Sequence, residues 1–254
     1  MNEFLQSATD HSGNIAIVSE GKSYSYNDLL KASGFYASFL LDGESDLKEQ
    51  RVCFMVNPGF DYVKIQWAIW RAGGIAVPLC LSHPLPSLQY VIEDTGASIL
   101  VASPEYELIL KNLSEQKQIK LIVLNSELSI VERDLPIITS DRRAMILYTS
   151  GTTNLPKGVV STHGNLQAQI SALVKAWRWN EDDSILCILP LHHVHGIVNV
   201  IGCALYSGAR CMFLPEFDAA KVFDVFNSGE INLFMAVPTI YFKLISHYES
   251  LPSS

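Results

Sequence analysis

Short apolar runs separated by amphipathic stretches constrain this chain more than any other feature of its sequence. "RVCFMV" at 51–56, "GIAVPL" at 74–79, "SILVA" at 98–102, "KLIVL" at 120–124, "AMILYT" at 144–149 and "SILCIL" at 184–189 are each one strand long and apolar at consecutive positions. A strand that is apolar on both faces has to be covered on both faces, which is the condition of a parallel sheet flanked by helices. Between the runs, "SYNDLLKASGFYASFLL" opens with Ser25 and Asp28 at the spacing of a capping box and continues with apolar residues at helical intervals. "FDYVKIQWAIWRAG" at 60–73 repeats the pattern. The expectation is an α/β fold of layered, mainly parallel sheets with flanking helices, in a three-layer arrangement.

A second cycle follows position 158. "HGNLQAQISALVKAWRW" predicts a helix, "SILCILPL" a strand, "IVNVIGCALYSGA" a helix, "RCMFLP" a strand, "DAAKVFDVFN" a helix and "INLFMAVP" a strand. The stretch 125–143 is charged and lacks a clear period, so it reads as a connector, and it suggests an approximate subdivision into 1–140 and 141–254.

With 254 residues and 48% hydrophobic content the chain has ample material for a core. Its 18 basic and 26 acidic residues give a net charge of −8, which repels a phosphodiester backbone, and no local basic patch offsets it, so no nucleic-acid partner is expected. Five cysteines without a CxxC pair, mostly inside apolar runs, read as reduced core residues. No apolar run approaches the roughly 20 residues of a membrane span. The expected location is intracellular and cytoplasmic, with the mitochondrion as the alternative.

The chemistry is concentrated in "YTSGTTNLPKG" at 148–158, directly after an apolar run. Hydroxyls on Thr149, Ser150, Thr152 and Thr153, backbone N–H groups around Gly151 and the Lys157 ammonium are all donors, so the matching guest is an oxygen-rich anion such as a nucleotide triphosphate. The pattern is not a Walker loop: Pro156 removes an amide donor, and Gly158 stands where that loop has its magnesium-binding hydroxyl. A plain solvated surface turn is the competing reading of such a cluster. A second motif, "LPLHHVHG" at 189–196, offers three histidines. On an extended strand His193 and His195 share a face and His192 points away. A zinc site would need a third ligand on that face and none is evident, so no metal is assigned.

The eleven-residue string resembles the phosphate-binding signature of the adenylate-forming enzymes, which include acyl-CoA synthetases, luciferases and peptide-synthetase adenylation domains. Asn154 stands where that family usually has glycine. "LPLHHVHG" is similar to the family's next core motif. "LPLHHVHGIVNV", "LPEFDAAKVFDVF", "NLFMAVPTIYFKLI" and "RAGGIAVPLCLSHP" most resemble the malonyl-CoA synthetase branch. The resemblance covers nearly the whole chain.

It implies the N-terminal large-domain portion of the adenylate-forming fold and an ATP-dependent acid–CoA ligase using ATP, Mg2+ and CoA, with malonate or a related small dicarboxylate as the acid. It implies that Thr149, Ser150, Gly151, Thr152, Thr153 and Lys157 hold phosphates, that His193 is catalytic and that His195 lines the acyl pocket. Some branch members place an arginine near the position of Glu230 for the second carboxylate, which makes Arg210 the candidate cation here. Members run to roughly twice this length, with a mobile C-terminal domain carrying a catalytic lysine. The chain therefore reads as an N-terminal fragment, expected to be inactive alone. A non-catalytic remnant or interaction module, and an adenylation domain loading a carrier protein, are the alternatives.

Overall fold

The computed structural model describes residues 2–124, 134–149 and 155–251. A six-stranded sheet contains β3 (Arg51–Met55), β4 (Ile75–Pro78), β5 (Ile99–Ala102), β6 (Lys120–Val123), β7 (Arg143–Thr149) and β8 (Lys157–Thr162), in the order β6-β5-β3-β4-β7-β8. A five-stranded sheet contains β1 (Ile15–Ser19), β2 (Lys22–Ser25), β9 (Ser184–Cys187), β10 (Arg210–Phe213) and β11 (Leu233–Phe234), in the order β11-β9-β10-β1-β2. Every pairing is parallel except the two hairpins, β1 with β2 and β7 with β8. Each sheet draws strands from both sides of residue 140.

Among the described residues the helices are α1 (Asn2–Asp10), α2 (Tyr26–Leu41), α3 (Phe60–Arg71), α4 (Leu85–Thr95), a short 3-10 helix (Pro104–Tyr106), α5 (Glu107–Lys117), α6 (His163–Trp177), a π-helix (His195–Gly202), α7 (Cys203–Tyr206), α8 (Ala219–Ser228) and α9 (Pro238–Ser250). The Ser25–Asp28 capping box forms as its spacing predicts. A second box at Thr162 and Asn165 starts α6.

The layering exceeds the three layers expected. Along β3, Val52 and Phe54 enter the large central core while Cys53 and Met55 face a second core with Leu88 and Ile92 of α4 and Leu110 of α5. Along β9 and β10 the same alternation sends Ile185 and Cys211 to the central core and Leu186 and Met212 to a third, with Val222 of α8 and Leu244 of α9. The central core is shared by both sheets. Its helix α3 is buried at every position from Tyr62 to Trp70, the condition of a helix enclosed on all sides. The arrangement is helix, sheet, helix, sheet, helix. The two mainly parallel sheets share the central helical layer.

Two local expectations change. The chain after the loop does not enter a helix directly: "KGVVST" forms β8, antiparallel to β7, with Thr149 opposite Lys157. The β-branched Val159 and Val160 favour extension, and the helix waits for the Thr162 cap. Nor are the histidines on a strand. Strand β9 ends at Cys187, Pro190 cannot donate to a ladder, the chain turns through Leu191–His193, and His195 opens the π-helix.

Candidate active site

The described ends of the first motif sit at the mouth of the β7–β8 hairpin. Thr149 and Lys157 are paired across it and both are exposed. Ser150, Gly151, Thr152 and Thr153 lie outside the described residues, as does Asn154. The two legs of the hairpin are held by one helix. Tyr148 donates to the Asp94 carboxylate and Tyr90 donates to the Pro156 carbonyl at 3.0 Å, from positions one turn apart on α4. Burial, reinforced by the Asp94 carboxylate, holds the Tyr148 phenol above its ordinary pKa, so it remains a donor. Among the described residues Lys157 has no ion-pair partner, which leaves its ammonium available to an incoming anion.

The histidine turn reaches the same end of the six-stranded sheet by way of β4. Ala76 of β4 is in register with Met145 of β7, so Cys80 and Thr149 lie equally far beyond that pair and both chains leave the sheet at one level. Leu79, Cys80, Leu81 and Ser82 then line a cavity of about 160 Å³ with Pro190, Leu191 and His192. Ring centroids of His192 and His193 are 4.1 Å apart, and His83, two residues before α4, lies 6.0 Å from His192. His193 is exposed, His195 and His192 are half-buried. Burial, then the neighbouring His193 and His83, lowers the His192 pKa to about 4, so this ring is neutral at physiological pH. The expectation that His193 and His195 share a strand face is replaced by a turn in which His192 lines the cavity and His193 sits at the surface beside it.

This edge is the carboxyl end of parallel strands, where open α/β sheets bind ligands. A larger, polar cavity of about 230 Å³ lies beyond β3 and β5, lined by Asn57, Ser103 and Glu105, but no described residue of either motif lines it. Size is therefore a poorer guide here than the convergence of the two motifs.

Arg210 is not available to a substrate carboxylate. It is the first residue of β10, at the amino end of the strand, and its guanidinium donates to Ser184 Oγ at 2.9 Å and to the Glu230 carbonyl. Among the described residues no group of three or more metal-ligating side chains converges. Tyr90, Asp94, His83 and Tyr62 were not singled out from the sequence, because what makes them matter is contact across long separations that no local pattern encodes.

Residues 4–253 match the family model for the AMP-binding enzyme. The chain is 42% identical over 252 residues to the mitochondrial malonate–CoA ligase of Xenopus laevis, covering 92% of this chain and 43% of that protein. It is 46% identical over 214 residues to the human mitochondrial malonate–CoA ligase, covering 80% and 37%. Among solved structures, ATP-bound MatB from Rhodopseudomonas palustris superposes with a TM-score of 0.81 at 26% identity, covering 96% of this chain and 50% of that one. The Bacillus subtilis o-succinylbenzoate CoA synthetase with its acyl-adenylate shares the fold, with a TM-score of 0.87 at 22% identity over 99% of this chain and 65% of that one. The chain spans less than half the length of the curated malonate–CoA ligases it matches.

Proposed function

The chain belongs to the AMP-binding enzyme family, and we propose that its residues form the phosphate-facing side of the site in an ATP-dependent acid–CoA ligase acting on malonate. The observation that carries this reading is the convergence of the hairpin mouth and the histidine turn at one sheet edge. The identity to proteins named malonate–CoA ligases supplies the acid.

In the first half-reaction a carboxylate oxygen of malonate attacks the α-phosphorus of ATP, forming a P–O bond as the bond to pyrophosphate breaks. Charge builds on the phosphoryl oxygens and on the leaving group. Lys157 and Thr149, with Ser150, Gly151, Thr152 and Thr153, hold the β- and γ-phosphates, where preorganised donors act most strongly. His193 donates to the carboxylate or α-phosphoryl oxygen, and His195 lines the acyl pocket. In the second half-reaction the CoA sulfur, giving up its proton, attacks the acyl carbon and AMP leaves with the bonding electrons. Among the described residues the hairpin offers the Thr149 hydroxyl and the Lys157 ammonium, with no carboxylate cage, so they do not fit a protein-held magnesium site. Magnesium enters as the counter-ion of the nucleotide phosphates, and no step above passes through it.

Five free, buried cysteines support a reducing compartment, cytoplasmic or mitochondrial. Among the described residues no helix is long and apolar enough to cross a membrane. The test is a chimera in which residues 1–254 replace the matched segment of the Xenopus malonate–CoA ligase, assayed for CoA-dependent AMP release with malonate, methylmalonate and acetate. Malonate should be the best acid. A preference for acetate would sink the malonate assignment, and a folded chimera inactive with every acid would sink the ligase assignment.

A further inference from the structure

The Tyr62 side chain is buried on α3, with its ring packed 5.1 Å from that of Phe54. Phenylalanine would satisfy that packing without a polar atom to compensate. The hydroxyl has one partner among the described residues, the Leu191 carbonyl at 2.7 Å, at a separation of 129 residues. Burial keeps this phenol protonated, so it is a permanent donor. Leu191 is the residue before His192 and His193, and it too is buried.

The turn is fixed from a second side. A Cβ at Gly196 would stand 3.0 Å from the Pro190 carbonyl and 3.1 Å from Leu191 Cδ2, so the start of the π-helix rests directly on the turn. The Ile197 N–H donates to the His193 carbonyl at 3.2 Å. Between the Tyr62 hydroxyl and the π-helix backbone, the segment 190–193 has little freedom. Tyr62 belongs to the helix layer shared by both sheets and Leu191 to the segment after β9, so this bond fixes the histidines relative to the six-stranded sheet that bears the phosphate hairpin.

We propose that Tyr62 is the positioning residue of the histidine turn, holding His192 against the cavity and His193 at its mouth through the Leu191 carbonyl. Its catalytic consequence rests on the acid–CoA ligase reading above; its structural content does not. Without the hydroxyl, the Leu191 carbonyl loses its buried donor and the turn relaxes toward solvent, taking His192 out of its enclosure. Among the described residues the groups facing His192 are His83, His193, Cys80 and Tyr62 itself, and no carboxylate lines the cavity, so enclosure dominates the state of the ring.

The experiment uses the isotopically labelled 254-residue chain and follows its histidine rings by NMR as pH is varied, with His192→Gln to assign the signal. Tyr62→Phe should raise the His192 midpoint from about 4 toward the ordinary 6.5. Leu110→Ala, in the core beneath α5, serves as a control that lowers stability without touching the turn, and should leave the midpoint in place. An unchanged midpoint in Tyr62→Phe overturns the proposal, as does an equal shift in Leu110→Ala. In the chimera, Tyr62→Phe should lower kcat by on the order of 10- to 10²-fold with the ATP KM little changed. A shifted midpoint with an unchanged kcat overturns the catalytic half alone. If the unmutated chimera is inactive, the ligase reading fails and the NMR result still decides the positioning role.

Discussion

Gly158 closes the first motif, and its role can be separated from backbone conformation. Its φ is not in the left-handed region, so a side chain meets no intrinsic strain there. What it meets is the opposite strand. Gly158 faces Tyr148 across the hairpin, and a Cβ built on it would stand 2.9 Å from Ile146 Cγ2 and 3.2 Å from Tyr148 Cζ. The Ile146 methyl is fixed close to its backbone and cannot swing aside as the end of a long side chain could. Overpacking of this kind costs about 1–3 kcal/mol. Glycine to alanine also reduces the freedom of the unfolded chain, which offsets about 0.4–1 kcal/mol. The net expectation for Gly158→Ala is a loss of about 1–2 kcal/mol, or roughly 2–8 °C in Tm for a domain of this size.

The relief route is specific: β8 moves away or the Tyr148 ring rotates, and the second loosens the bond to Asp94. The assay is thermal unfolding of the chain with and without ATP, beside Gly13→Ala. Gly13 also lacks a positive φ and has nothing within 4 Å of a built Cβ, so that substitution should be neutral or slightly stabilising. Gly158→Ala should both lower Tm and reduce the ATP-induced increment. If the two variants behave alike, close approach is not why a glycine occupies position 158.

In the chimera, Lys157→Ala or His193→Ala should each reduce malonate-dependent AMP formation by about 10²-fold, the scale of one lost transition-state donor, with wild-type rates refuting the assigned role. Asp46 accepts two bonds from Arg142, at 2.6 and 2.8 Å, while Arg142 also reaches the Gly73 carbonyl at 2.7 Å. Hydrogen bonding from Arg142 lowers the Asp46 pKa, so its contribution to stability is complete above the ordinary carboxylate value and is lost as pH falls through the folded one. Urea midpoints should therefore fall more steeply on acidification in the parent than in Asp46→Asn, and parallel slopes would contradict the linkage. Trp70 donates from Nε1 to the buried Ala144 carbonyl at 2.7 Å. Trp70→Phe should cost at least about 1–3 kcal/mol from that orphaned carbonyl, and a loss below 0.5 kcal/mol would show that it finds another donor.

The sequence displays most of the strands because consecutive apolar residues such as Val52–Val56 can serve only a sheet covered on both faces. It hides the number of layers, because burial on two faces does not say whether the two covers belong to one domain coat or are shared with a second sheet. Residues Tyr62–Trp70 held that information in principle: "YVKIQWAIW" has no sustained polar face, and its Lys64 is buried with the ammonium 4.4 Å from the Tyr36 ring and 2.6 Å from Asp61. A lysine and a glutamine among the apolar residues disguise a central helix as an amphipathic one. The β1–β2 hairpin is legible in retrospect from Glu20-Gly21, both at positive φ as a tight two-residue hairpin turn requires.

The site divides along the same line between local and long-range information. Donor-rich composition marks the hairpin loop, since hydroxyls, a glycine and a lysine after a strand are visible without any fold. What arranges that chemistry is not local. The legs of the hairpin are tied to α4 by Tyr90 and Asp94, and the histidine turn is tied to α3 by Tyr62; each tie is one hydrogen bond between residues at least 54 apart in sequence. Such a bond leaves no periodicity, because one tyrosine among apolar neighbours reads as another core aromatic. The reading of "LPLHHVHG" as an extended strand failed for a related reason. Alternation was inferred through Pro190, the one residue there that cannot serve a ladder, and a π-helix, with its wider hydrogen-bonded turn, has no sequence period that distinguishes it from an ordinary helix. Chemical identity is therefore carried by motifs, and geometry by the buried polar atoms whose partners lie elsewhere in the chain.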